Sequence, residues 1–346
     1  MKDCNEQVNK FESDTVKMSE AGRKDIYGHA KSNRNRIKKS LADKSKPTAT
    51  GFSTQGSYSM RTMIQYVDGD YDIDDGVYFK IDKLVDANGK PMKALDARKM
   101  ICDAAQDDRF NDKPEVRKNC VRVYYNEGYH VDVPVYRTTE TTNPLTNQTT
   151  KTFELASADW KASDPLSVTN WFKKQNSSKS TDATKNANDG QLIRVVRLLK
   201  NFARSRASWE GSIASGFAIT KLACDHFVED KSRDDRALRD TAKKMVASLK
   251  LSEQIIHPTL LNENITDAGD TRVKFLREKL EENLGHLNSL DNEGCTHKAA
   301  MLAWDNFFST DWFSKEPDPS EEDELEKKVT GPAIIKRGDS RYARNA

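Results

Sequence analysis

The sequence predicts an α+β fold in two lobes: a mixed sheet braced by a long N-terminal helix, followed by a helical lobe. Three observations predict it. Segments with strand alternation crowd the first half of the chain, around 71–81 and 119–137. Segments with helical spacing fill the second half, at 191–206, 213–229, 234–250 and 270–289. A charged, proline-free stretch from Ser19 to Lys44 precedes them all. Strands first and helices after is the order of an α+β chain rather than an alternating α/β one.

The first helix opens at Ser19, a residue whose side chain can accept from free N–H groups of the first turn. Its sparse apolar positions include Ile26, Ile37 and Leu41, and Ser45-Lys46-Pro47-Thr48 breaks it. Then GFSTQGSYSMRTMIQY places a glycine-bearing turn before an apolar segment. DGDYDIDDGVYFKIDKL alternates through Ile73, Val77, Phe79 and Ile81, as a half-buried strand does. Residues 92–109 have helical spacing, and CVRVYYNEGYHVDVPVYRT reads as two strands joined at Asn126-Glu127-Gly128.

KKQNSSKSTDATKNANDG, residues 173–190, holds no large apolar residue and reads as a flexible loop. Beyond it, Leu192, Val195, Val196, Leu199 and Phe202 form one helical stripe, with Arg194, Arg197, Asn201 and Arg204 opposite. Trp304, Phe307, Phe308, Trp312 and Phe313 predict a packed terminal helix. The expected organisation is therefore 1–172 for bracing helix and catalytic sheet, 173–190 for the loop, 191–315 for the helical lobe and 316–346 for a mobile tail.

Composition excludes some classes of function. Charged residues make up 32% of the chain, yet the formal net charge is only +2, so no global field draws it to nucleic acid. No apolar run reaches the length of a membrane span, and MKDCNEQVNKFESD lacks a signal-peptide core. Five scattered cysteines fit reduced thiols in a cytoplasmic protein. Two Cys-x-His pairs, Cys224/His226 and Cys295/His297, do not supply four converging zinc ligands.

The chemistry concentrates in Asp72-Ile73-Asp74. Residues two apart in a strand share a face, so both carboxylates project together. Their repulsion calls for a divalent cation, and Mg²⁺ binds carboxylates and substrate phosphates together. Asp132, in HVDVPVY, lies on the face opposite Val131, Val133 and Val135 and is a third candidate ligand. Three carboxylates around two metals form a clamp for in-line phosphoryl transfer. The plain alternative is an acidic turn, since Asp68 and Asp70 precede the motif and Asp75 follows it. Gln55-Gly56-Ser57 lies 15 to 17 residues upstream of Asp72 and offers a backbone and hydroxyl cradle for phosphate.

GSYSMRT, DYDIDDGVYF and HVDVPVY together resemble the polymerase-β-type nucleotidyltransferases, and more narrowly the bacterial cyclic-dinucleotide and cyclic-trinucleotide synthases (CD-NTases). The resemblance spans roughly residues 10–315 and is sharp between about 50 and 136. It implies that Gln55, Gly56 and Ser57 hold the donor triphosphate and that Asp72, Asp74 and Asp132 bind two Mg²⁺ or Mn²⁺ ions. It also implies that Lys200 and Ser215 contact phosphates. A snorkelling lysine and an ordinary helix cap are the plain alternatives at those two positions, and Ser212 rivals Ser215.

The implied reaction joins nucleoside triphosphates (ATP, GTP or both) into a cyclic second messenger of antiphage signalling (CBASS), releasing pyrophosphate. The implied partner of the tail, by analogy with relatives, is a ubiquitin-like ligase. No Cys/His cluster suggests a DNA-binding insertion. A linear nucleotidyltransferase and a degenerate nucleotide sensor are the competing functions. Base choice, ring size and linkage are not encoded in these motifs.

Overall fold

The computed structural model describes residues 1–65, 71–109, 111–125, 128–184 and 188–318. The expected bracing helix is α2, Glu20–Asp43, and the Ser19 side chain accepts from the Gly22 N–H as its cap. Ile26, Ala30, Ile37 and Leu41 fall on one face at helical spacing and are buried against the sheet. Preceding it is α1, Asn5–Phe11.

Among the described residues, eight strands build one mixed sheet. They are β1 (Gly51–Thr54), β2 (Tyr71–Lys80), β3 (Glu115–Val116), β4 (Val121–Tyr124), β5 (Tyr129–Val133), β6 (Val135–Thr142), β7 (Thr149–Ala156) and β8 (Trp160–Ala162). A four-residue helix, α3 (Gly56–Ser59), leaves β1, and α4 (Ala94–Ala104) packs on the sheet beside α2. The helix expected over 92–109 is thus shorter at both ends.

Strand β2 is central. It runs parallel to β5, with Asp72 opposite His130 and Asp74 opposite Asp132, and then parallel to β6, with Val77 opposite Val135. The register is unchanged across Pro134, whose carbonyl accepts from the Val77 N–H. Pro134 therefore divides what the alternation presents as one strand, since proline gives no donor to the ladder. On β2's other edge lies antiparallel β1, Thr54 opposite Asp75. β4 returns antiparallel beside β5, setting Arg122 opposite Asp132.

Four helices of the second lobe follow: α6 (Gln191–Arg204), α7 (Gly216–His226), α8 (Asp234–Leu249) and α9 (Thr271–Leu284), after α5 (Pro165–Lys179) and before α10 (His297–Phe308). The stretch 173–190 differs from expectation. Residues 173–179 continue α5, which Asp164 caps and Phe172 anchors in the core. A polar run is no barrier to a helix whose apolar anchor lies just upstream.

The lobe boundary also moves. Cys4, Val8 and Phe11 of α1 lie in the core of the helical lobe, where the Phe11 ring sits 4.9 Å from Phe308 and 4.7 Å from Phe313. The N-terminal residues up to Val16 and helix α5 thus pack with the second lobe, not with the sheet. Helix α6 is buried on more than its stripe: Arg197 is enclosed, and Arg194 pairs with Asp182 and Asp234. The five cysteines are free thiols. No helix among the described residues is long and apolar enough to cross a membrane. Asp68, Asp70, the Asn126-Glu127 turn and most of the expected tail, including 331–346, lie outside the described residues.

The brace itself rests on an ion pair. Asp75 points away from Asp74, into the seam beneath α2, where Arg34 Nε donates to its Oδ2 at 2.7 Å. Asp75 is almost fully buried, and removing one partner of such a pair strands a charge. Arg34→Met should cost about 3 kcal/mol in urea unfolding, and adding Asp75→Asn to it should return most of the loss. A single-variant cost near zero would show that water screens the pair.

Candidate active site

The face of the sheet that turns away from α2 carries the candidate chemistry. From β2 come Asp72, which is exposed, and Asp74, which is half-buried. From β5 comes Asp132, buried and in register with Asp74. Parallel neighbours in register point the same way, so the backbone pairing alone brings Asp74 and Asp132 side by side.

The crowding has an electrostatic signature. Burial, then Asp72 and Asp132, push the Asp74 carboxyl up to about 7. Arg122 of β4 answers part of the charge: its Nε and Nη2 each reach an Asp132 oxygen at 2.8 Å. With Asp132 turned to Arg122, no three acidic, His or Cys side chains among the described residues close on one point as ligands. The donor set nonetheless fits a hard divalent cation, because it is all carboxylate oxygen and carries more negative charge than one guanidinium neutralises.

Over this face hangs the Gln55-Gly56-Ser57 turn. The Gln55 N–H donates to the Asp74 carbonyl at 2.9 Å, stitching the turn to β2. Gly56 takes φ +60, and a Cβ there would collide with Asp74 Oδ2. Glycine is therefore required twice, for the backbone and for the close approach. The Gln55 side chain goes elsewhere: its Nε2 donates to the Tyr136 hydroxyl at 3.0 Å in a buried pocket beside Tyr78. Of the three residues expected to hold phosphate, Gly56 lies against the Asp74 carboxylate, Ser57 follows it in α3, and the Gln55 amide is committed to the core.

Lys200 arrives from α6. It is buried, with Nζ donating to the Thr62 carbonyl at 3.2 Å and contacting its hydroxyl oxygen at 3.1 Å. It does not snorkel to solvent. Burial pulls its ammonium down to about 8, against an opposing pull from Asp72. Gly216, the first residue of α7, lies against it: a Cβ there would stand 3.4 Å from Lys200 Cε. Ser215 caps that helix, its Oγ accepting from the Ala218 N–H at 3.2 Å. Ser212 lies in the preceding turn, its N–H donating to the Trp209 carbonyl. Ser215 directly precedes the glycine that packs on Lys200, while its hydroxyl serves as the helix cap.

Sequence reasoning passed over Arg122, His130 and Cys120. All three border the carboxylates: His130 is opposite Asp72, and burial together with Asp132 and Asp74 pushes the Cys120 thiol up. The signal for Arg122 was present. The turn expected from the sequence at 126–128 would pair 122 with 132, and β4 and β5 have that register.

The family model for the nucleotidyltransferase domain described as "Cyclic GMP-AMP synthase DncV-like" matches residues 50–136. That span contains Gly56, Ser57, Asp72, Asp74 and Asp132. Residues 50–136 are thus similar to a DncV-like nucleotidyltransferase domain. The chain as a whole has the fold of the bacterial CD-NTases, a polymerase-β-like fold. CdnC of E. coli MS115-1, solved with ATP, is 17% identical and superposes with a TM-score of 0.63 over 89% of this chain and 98% of that one. Vibrio cholerae DncV, solved with ATP, GTP and 5MTHFGLU2, is 15% identical, with a TM-score of 0.69 over 90% of this chain and 96% of that one. The same enzyme with the linear intermediate 5′ pppA(3′,5′)pG is 16% identical, TM-score 0.64, over 85% and 92%.

The Asp74 shift sets a pH test. A carboxyl raised from 3.8 to about 7 on folding binds more protons in the folded state than in the unfolded one between those values. Its contribution to stability therefore falls as pH rises through that window. In chelator-treated protein, Asp74→Asn should raise the Tm by several degrees at pH 8 and have little effect at pH 4. An equal effect at both would show that Asp74 is not crowded.

Proposed function

We propose that the chain condenses nucleoside triphosphates into a cyclic oligonucleotide, releasing pyrophosphate at each bond. The observation that carries this reading is the register of β2 and β5, which sets Asp74 beside Asp132 beneath the Gly56–Ser57 turn. The CD-NTase fold of the whole chain supports it, as does the solution of a relative with a linear dinucleotide intermediate.

Asp72, Asp74 and Asp132 would hold two Mg²⁺ or Mn²⁺ ions, which supply charge stabilisation at the α-phosphate when bound. The protein's own residues do the rest. The N–H groups at the start of α3 and the Ser57 hydroxyl bind the donor's phosphates. Lys200 offers a buried cation from the opposite lobe, with Ser215 beside it at a helix start. Asp132 accepts the proton of the attacking ribose hydroxyl, and Arg122 keeps that carboxylate oriented until substrate enters. A second attack by the other nucleotide closes the ring. ATP and GTP are the leading substrates, and the product serves as a cytoplasmic antiphage signal in this reading. The C-terminal tail would serve a protein partner, such as a ubiquitin-like ligase, outside the chemistry.

Incubation with all four triphosphates and Mg²⁺ or Mn²⁺, then mass spectrometry, tests the proposal. The main product should resist phosphatase, because a ring has no terminal phosphate. An end product that keeps a free 5′-triphosphate would establish linear transfer instead. Asp72→Asn with Asp74→Asn should leave less than about a hundredth of the pyrophosphate release, with the fold intact by circular dichroism.

A further inference from the structure

The segment just downstream of Gly56–Ser57 is gripped by cations. Arg23 of α2 donates from Nη2 to the Tyr58 carbonyl at 2.9 Å, with its guanidinium 4.1 Å from the Tyr58 ring centroid. Arg197 of α6 donates from Nη1 to the Arg61 carbonyl at 3.3 Å. Lys200, one turn on, holds the Thr62 carbonyl and hydroxyl. Thr62 in turn donates its N–H to the Ser57 carbonyl at 2.9 Å, so the grip reaches the phosphate turn through one hydrogen bond.

Arg61 is the strained link. Its φ is +60 in a residue with a full side chain, a conformation that persists only where surroundings enforce it. This segment also straddles the lobes: Met60 and Ile64 enter the helical core, and Met63 enters the sheet core. Its conformation therefore depends on how the two lobes meet.

Arg197 is set by a partner far off in sequence. Its Nε stands 2.6 Å from Glu12 Oε1, and both side chains are buried. Glu12 begins a π-helical stretch, Glu12–Val16, that follows α1 and pairs onward with the same segment through Lys17 and Ile64. Turns of this width are rare and are frequent at functional sites. A buried ion pair is a poor source of stability compared with apolar packing. One whose arginine also holds a strained carbonyl next to a phosphate turn has a use that apolar packing could not supply.

We infer that Glu12 and Arg197 are positioning residues for the nucleotide site: the pair fixes the Arg61 carbonyl, and through it the placement of Ser57 and Lys200 around the triphosphate. The inference rests on the nucleotide reading of Ser57 and Lys200. Neither Glu12 nor Arg197 touches the three aspartates.

The test uses the full chain and separates placement from stability. Glu12→Leu with Arg197→Met replaces the pair by apolar side chains of similar size and should hold the urea midpoint at or above the unaltered value. It should raise the KM for triphosphate at least about tenfold while kcat falls less than about threefold, the mark of lost binding geometry. Arg197→Lys is the second variant. It keeps a cation for Glu12 but lacks the fork that reaches the carbonyl as well, and should show the same split. Unchanged KM in either folded variant overturns the inference, as does failure of both to fold, which would make the pair purely structural. If the unaltered chain neither binds nor turns over any of the four triphosphates, the nucleotide reading itself fails and this inference falls with it.

Discussion

The parallel pairing of β2 with β5 is the constraint on which the site depends. Its register puts Asp74 and Asp132 next to each other, and alternation along β2 adds Asp72 to the same face. The cost is mutual repulsion in a partly buried place, visible in the raised Asp74 carboxyl. Such an arrangement stands only because the other face of the same strands is strongly apolar. Ile73, Val77, Val131 and Val133 are all buried there against α2 and α4. Hydrophobic burial on one side offsets electrostatic crowding on the other.

Charge is managed by separation. Asp75 follows Asp74 directly, yet it faces the opposite way and belongs to Arg34 of the brace. Asp132 has Arg122 beside it on the neighbouring strand. Asp74 forms no ion pair among the described residues and feels Arg122 only as a weaker pull than its burial and its two aspartate neighbours, and it lies under the turn where Gly56 makes room for its oxygen. The carboxylate with the least compensation is thus the one nearest the proposed phosphate cradle. That is where a bound cation would gain most.

The two lobes meet through the backbone between Ser57 and Ile64. Carbonyls in this stretch are held by Arg23 from the sheet side and by Arg197 and Lys200 from the helical side. Arg197 is aimed by Glu12, contributed by an N-terminal segment that packs with the helical lobe although it precedes the brace in sequence. The Gly56–Ser57 turn is therefore tied to both lobes, which suits the proposed joining of one triphosphate to a second.

Much of this was legible in the sequence, where local periodicity carried the information. Ser19, Ile26, Ile37 and Leu41 announced the brace, and Asp72 with Asp74 announced a shared face, because strand and helix geometry follow from spacing alone. Gly56 and Ser57 could be read as a turn near phosphate, and Lys200 as a phosphate contact only through the resemblance. What spacing cannot carry is which segments meet. The pairing of Arg34 with Asp75, the turning of Gln55 into the Tyr78–Tyr136 pocket, the grip of Arg197 on the Arg61 carbonyl and the transfer of α1 to the helical lobe join residues separated by at least 23 positions. Those contacts depend on how apolar faces dock after the elements form. The sequence determined the elements and the chemical character of the site; only the tertiary structure decided which cation answers which carboxylate, because burial and distance, not residue type, set the strength of each pair.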